Sequence, residues 1–182
     1  MSETYWSRRE AHARGERLAP REIAHARRIV QERMRDRWKS DLEDCRYGTR
    51  TIAALLPSFD QWLDREIGTL SYRMVQIMTG HGCFGHYLSR IGREHDPLCH
   101  HCGDPDDTAQ HTLEACSSWD TERLVLAAAL RTDDLSLSNI VSKMLESEES
   151  WNAVTEFCEE VMSRKEEAER EREEDPGAPC SA

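Results

Sequence analysis

The run that most limits what this chain can fold into is Cys99-His-His-Cys102-Gly103, followed by His111 and, after four more residues, Cys116. Two cysteines separated by two residues turn tightly enough to offer both thiolates to one ion. A histidine and a cysteine arriving later on a short element complete a tetrahedron. The spacing therefore predicts a structural zinc knuckle with Cys99, Cys102, His111 and Cys116 as ligands. Four protein ligands leave no open coordination position, so the ion is expected to shape the loop rather than to act on a substrate. Gly103 supplies permissive backbone directly after Cys102, and Asp104-Pro105-Asp106-Asp107 reads as a turn capping a short helix that carries His111.

Hydrophobic periodicity around the knuckle is helical. From Pro20, Ile23, Val30, Met34, Trp38 and Leu42 recur at intervals of four and seven, which predicts an arginine-rich helix with one apolar face in need of a partner. Tyr47-Gly48-Thr49 breaks it. Ser58 and Gln61 form a capping-box pattern for a short helix through Phe59, Trp62 and Leu63 ending at Gly68, and Thr69 can start the next. Leu70, Met74, Ile77 and Met78, then Phe84, Tyr87, Leu88 and Ile91, predict two helices joined by the corner Thr79-Gly80-His81-Gly82. After the knuckle, Ser117 or Ser118 is placed to cap a helix with Trp119, Leu124, Ala127 and Leu130 along one side. Two more helices follow, marked by Ile140, Met144 and Leu145 and by Trp151, Val154, Cys158 and Val161.

The expected architecture is mainly α, a small irregular helical assembly around the zinc knuckle with flexible polar termini. Its segments run 1–19 (flexible), 20–68 (basic helical), 69–131 (helical corner plus knuckle), 132–163 (C-terminal helices) and 164–182 (a charged, disordered tail). The 182 residues carry a formal net charge of −11, unevenly spread. Residues 1–50 hold 13 Lys/Arg against 9 Asp/Glu, whereas residues 141–175 hold 5 against 13, so a basic front precedes an acidic back. No apolar run is long enough to span a bilayer, and the cysteines lack disulfide-framework spacing, which points to an intracellular, reducing location with no membrane partner.

Other candidates divide by chemistry. His100 and His101, inside the C-x2-C turn, read as exposed neighbours of the ion. His81, Cys83 and His86 form a second small cluster, best explained by packing because no third group orients a nucleophile. The knuckle itself has no Lys or Arg between Cys99 and Cys116, the wrong charge for gripping phosphates. Contact with nucleic acid would fall to its flanks, with Arg73, Arg90 and Arg93 before it and Arg123 and Arg131 after, and Tyr87 or Trp119 for stacking on bases. Composition alone leaves nucleic-acid binding and protein docking evenly matched, and no catalytic residue stands out.

Three stretches, QIMTGHGCFGHYLSRIG over 76–92, PLCHHCG over 97–103 and DTAQHTLEAC over 107–116, resemble the C-terminal region of the Pol polyprotein of arthropod non-LTR retrotransposons, the type-1 elements that insert into ribosomal DNA. The resemblance extends over residues 31 to 130, taking in the Trp38 helix and Phe59-x-x-Trp62. It implies a CCHC knuckle lying behind a reverse transcriptase that an apurinic-type endonuclease precedes, a part in handling template RNA or target DNA during target-primed reverse transcription, and a nuclear location. The parent's polymerase domain is an implied partner. No Tyr-x-Asp-Asp or similar paired-aspartate motif for two-metal nucleotidyl transfer occurs, so the chain is expected to be a non-catalytic fragment, degenerate copy or tail reading frame. The acidic knuckle keeps a protein-docking module as the alternative.

Overall fold

The structure is a computed structural model that describes residues 19–174. The expectations for residues 1–18 and for the 175–182 part of the C-terminal tail lie outside the described residues. All regular elements among the described residues are helical, as the periodicity requires. The chain divides after Tyr47 into two compact units, so the break falls inside the expected 20–68 segment.

In the first unit, α1 (Pro20–Glu43) starts with proline in its first turn and with the Ala19 amide donating to Glu22 Oε2 at 2.7 Å. None of its residues is buried, and Met34 and Trp38 stay 42% and 44% exposed. Its apolar stripe is thus present but open. Pairs at i,i+4 such as Arg28–Glu32 at 3.6 Å and Arg37–Asp41 at 3.7 Å lie in solvent, where each contributes about 0.3–0.5 kcal/mol at most.

The second unit begins with α2 (Thr49–Leu55), a 3-10 turn (Leu56–Ser58) and α3 (Phe59–Asp64). Ser58 makes no side-chain cap, and α3 stops at Asp64 rather than Gly68. Gly68 has another task. Its φ is +75°, and a Cβ there would lie 2.1 Å from the indole of Trp151, so only glycine lets the chain cross that ring. Ser71, not Thr69, caps α4 (Tyr72–Thr79), its Oγ accepting from the Met74 amide at 3.2 Å. Gly80, in the left-handed region at φ 71°, ends α4, and α5 (Gly85–Arg90) follows. The predicted glycine corner is there, although of its two glycines Gly80 alone has a positive φ.

Beyond the knuckle, α6 (Ala109–Glu114), a second 3-10 turn (Ser117–Trp119), α7 (Asp120–Leu130) and α8 (Leu137–Met144) lead into α9 (Glu148–Glu174). Residues Ser117 and Ser118 lie in the 3-10 turn and do not cap α7, and Leu124 is 72% exposed while Leu126 takes the buried position. Helix α9 packs on α7, α4 and α8; α2 packs on α8 and α4, and α4 on α6. Phe84, Met74, Trp119, Trp151, Ile140 and Val161 fill the space between them.

The largest departure from expectation is the C-terminal charge run. Residues 164–174 continue α9 without a break, and Lys165 and Glu169 are buried along it. They prolong the inward stripe of Trp151, Val154, Cys158 and Val161 at intervals of three and four. The stripe holds its direction while its residue type changes from apolar to charged.

Candidate metal centre

The C-x2-C half is a tight backbone loop. The Cys99 amide donates to Asp104 O at 2.8 Å, and the Gly103 amide returns to Cys99 O at 2.8 Å with Gly103 at φ +81°. Few residues other than glycine adopt that angle cheaply. The amides of His101 and Cys102 donate to the Cys99 sulfur, and that of Ser118 to the Cys116 sulfur. Such donors stabilise a thiolate over a thiol.

The second half comes from α6. Thr108 Oγ1 accepts from the His111 amide at 2.9 Å, so threonine is the cap of this helix and the preceding Asp-Pro-Asp-Asp run supplies the approach to it. The Cys116 amide donates to His111 O at 2.8 Å, turning Cys116 back towards Cys99. Arg123, buried rather than part of a basic surface, donates to Cys116 O and pairs with Asp120.

All four donor atoms lie within 4.8 Å of one another. Cys99 Sγ and Cys116 Sγ are 3.8 Å apart, and Cys102 Sγ is 3.2 Å from His111 Nε2. Two sulfurs bound tetrahedrally at zinc–sulfur distances of about 2.3 Å stand about 3.8 Å apart, so the spacing fits one ion at the centre. The cluster could hold a metal ion, and its donors, three thiols and an imidazole, suit a borderline-soft one. Burial pushes the Cys99 thiol up to about 12 and raises that of Cys116 as well, a cost that a bound cation would reverse. His111 turns Nε2 to the sulfurs and Nδ1 towards Asp104 Oδ2, 3.9 Å away, the kind of outer carboxylate that orients a ligating imidazole.

His100 and His101 are half-buried, contrary to the exposed reading. The His101 ring lies 4.8 Å from that of Trp119, and Ser118 Oγ donates to its carbonyl at 2.7 Å. Trp119 is itself 1% exposed. It is therefore core, not a platform for bases.

Asp107 and Lys165 lock this loop to the rest of the unit, and neither was among the candidate site residues. Lys165 Nζ stands 2.9 and 2.8 Å from the two Asp107 carboxylate oxygens, and Asp107 Oδ2 also accepts from the Gly85 amide at 3.0 Å. The Asp107 backbone joins in: its amide donates to Pro97 O and its carbonyl accepts from His86 N. A Cβ on Gly85 would sit 2.5 Å from Leu98 O, which shows how closely α5 is seated on the knuckle. The signal for Lys165 was its place on the apolar stripe of α9.

The three arginines weighed for phosphate contact differ in their surroundings. Arg73 binds Glu159 at 2.7 Å and Glu166 at 2.8 Å, while Arg93 pairs with Glu173 and lies 3.3 Å from Glu169, all on α9. Arg90 is exposed and rests over the Tyr87 ring at 5.2 Å, beside the His81–Tyr87 stack. Of the second cluster, Cys83 donates to Glu169 Oε2 at 2.6 Å, its thiol pushed up chiefly by burial, and His86 Nδ1 is 2.7 Å from Asp106 Oδ1. Separate partners hold these side chains, and His81 and His86 are exposed rather than packed inside. Arg131 ends α7 at φ 54°.

The fold and site thus define a helical module built around a metal-competent Cys3His cluster. It is similar to the retrovirus-related Pol polyprotein from type-1 retrotransposable element R1 of Popillia japonica, with 33% identity over 101 residues, 55% of this chain and 38% of that protein. The similarity supports a relation to a retrotransposon Pol polyprotein, and the chain spans well under half the length of that relative. No protein-family model and no solved structure matches the chain. No described helix is long and apolar enough to cross a membrane.

Proposed function

We propose that the chain is a zinc-stapled, non-catalytic module from the C-terminal region of a non-LTR retrotransposon Pol polyprotein, and that it helps to position template RNA or target DNA in target-primed reverse transcription. The closed Cys99–Cys102–His111–Cys116 set carries this reading. Four protein donors with no carboxylate among them match a structural zinc site, and zinc bound there would clamp the loop that α5, α6 and α9 meet. The kinship with a Pol polyprotein supplies the context. A site of action in the nucleus follows from that context alone. Anisotropy titration of the zinc-loaded chain with labelled RNA and DNA tests the positioning role: affinity falls as salt rises, and no binding at low ionic strength overturns it.

A protein-docking role is the second reading, with the parent's polymerase domain as the first partner to try. The observation in its favour is the pairing of Arg73 and Arg93 with α9 glutamates, which removes two cations from phosphate contact. Stoichiometric capture of the separately expressed polymerase domain, unaffected by nuclease, would support it.

A further inference from the structure

On one side of the second unit a cleft of about 330 Å³ is lined by Arg50, Thr79, His81, Tyr87, Arg90 and Gln110, among others. Its chemistry differs from that of the larger hollow beside α9, where Glu166, Glu169 and Glu173 stand next to Arg93 and Arg170. In the smaller cleft the cations prevail. Arg50 is half-buried, and the acceptors of its hydrogen bonds among the described residues are neutral: Gln110 Oε1 at 2.7 Å and Ile77 O at 3.4 Å. Glu114 acts on it only through space, while burial pulls its pKa down. A guanidinium held out of water without a contacting carboxylate favours an anion at its remaining N–H groups.

Another part of the lining is aromatic, and its His81 and Tyr87 also border the larger hollow. His81 and Tyr87 stack with ring centroids 4.8 Å apart and planes 26° from parallel, and Arg90 covers Tyr87 while reaching to 3.4 Å from His81 Nε2. His81 and Arg90 are both exposed. His86 also lines the cleft, its Nδ1 2.7 Å from Asp106 Oδ1. Cations next to an open aromatic stack are the two halves of a platform for unpaired nucleotides, with backbone charge on the first and a base face on the second.

We propose that this cleft binds single-stranded nucleic acid, a base stacking on the face of His81 turned away from Tyr87 and the phosphodiester meeting Arg50 and Arg90. The inference rests on the nucleic-acid reading above and assigns it a place and a strand state. Paired bases hide the faces that His81 would stack on, so a duplex is the poorer ligand.

The test uses the full zinc-loaded chain and fluorescence anisotropy with labelled oligouridylate RNA, oligothymidylate DNA and a duplex DNA, plus oligoglutamate as competitor. The single strands are expected to bind, their relative affinities showing whether RNA or DNA is preferred, with the duplex weaker. Arg90→Ala and His81→Ala, both on exposed side chains, each weaken single-strand binding by about tenfold. Arg90→Ala also takes about 0.7 from the slope of log affinity against log salt, one phosphate contact's worth. Circular dichroism checks that both variants stay folded. Unchanged affinity in both, with binding lost in an α1 double variant, Arg28→Ala with Arg37→Ala, overturns the cleft and leaves the nucleic-acid reading standing. Tighter binding of duplex, or displacement of RNA by oligoglutamate at equal charge, also overturns it. No salt-dependent binding by the unaltered chain sinks both proposals together.

Discussion

Lys165 and Asp107 form a buried, two-pronged ion pair, with Nζ 2.9 and 2.8 Å from the carboxylate oxygens and 1% and 5% of the two side chains exposed. Asp107 stands in the knuckle loop between Cys102 and His111, and Lys165 in the third quarter of α9. One contact therefore ties the metal-competent loop to the helix against which α4, α7 and α8 pack. Lys165 Nζ also lies 5.4 Å from the Phe84 ring centre, so Phe84 forms part of its surroundings.

Removing one partner of such a pair leaves the other charge buried. Lys165→Met is expected to cost about 3–5 kcal/mol in urea unfolding of the metal-loaded chain. Asp107→Ala costs at least as much, because the Gly85 amide loses its acceptor too. The double variant loses less than the two single losses added together. A cost below about 1 kcal/mol for Lys165→Met would mean that the pair is not buried in solution.

Gly85 marks the closest approach of α5 to the knuckle. Adding a Cβ 2.5 Å from Leu98 O and 2.8 Å from Pro97 O pushes backbone against backbone, so Gly85→Ala should destabilise by about 1–3 kcal/mol. Thermal unfolding compared with Gly92→Ala provides the control: that Cβ meets nothing within 4 Å, and its φ of +75° costs about 1 kcal/mol. Equal losses for the two would contradict the close seating.

Acid should loosen the α4–α9 contact in a defined direction. A hydrogen bond from Ser71, and next the Arg73 guanidinium, hold the Glu159 carboxyl below its ordinary 4.5. A carboxyl depressed on folding adds stability above its unfolded pKa, and that stability is lost as pH falls through the lower folded value. Carboxyl carbon shifts followed by NMR should place Glu159 below 4.5 in the folded chain, and Ser71→Ala and Arg73→Ala should each raise it. Titration at 4.5 in the unaltered chain would count against this contact.

How much of this could be read from residues alone depends on the range of the interactions concerned. The four cluster residues were legible because ligand chemistry and spacing are local, and the corner between α4 and α5 because Gly80 announces its own left-handed turn. Lys165 was not, since a lysine in a run of glutamates looks solvated until Asp107, 58 residues away, is placed beside it. Leu124 lost its expected place beside Trp119 for a related reason: Arg123, Leu126 and Leu130 hold the buried side of α7 in step with Trp119, and the arginine is drawn in by Cys116 O and Asp120, contacts that only packing sets. The caps misassigned to Ser58 and Thr69 show the same limit, where several hydroxyls compete and tertiary contacts choose.

Thiol reactivity separates the cysteines by environment. Cys45 is exposed and should alkylate at once, whereas Cys158, 1% exposed with its thiol pushed up by burial, should react only on unfolding. Cys99, Cys102 and Cys116 are expected to be protected in the metal-loaded chain and to react after chelation, as mass spectrometry of alkylated peptides would show. Protection of these three unchanged by a chelator would assign it to packing instead of to an ion.

Metal content tests the central claim most directly. Chain purified without added metal or chelator and measured by inductively coupled plasma mass spectrometry should contain about one zinc per molecule. Removal of that zinc should release the loop from Cys99 to Cys116 in amide hydrogen exchange. Much less than one zinc per chain, together with free alkylation of Cys99, Cys102 and Cys116 in the folded protein, would contradict the account.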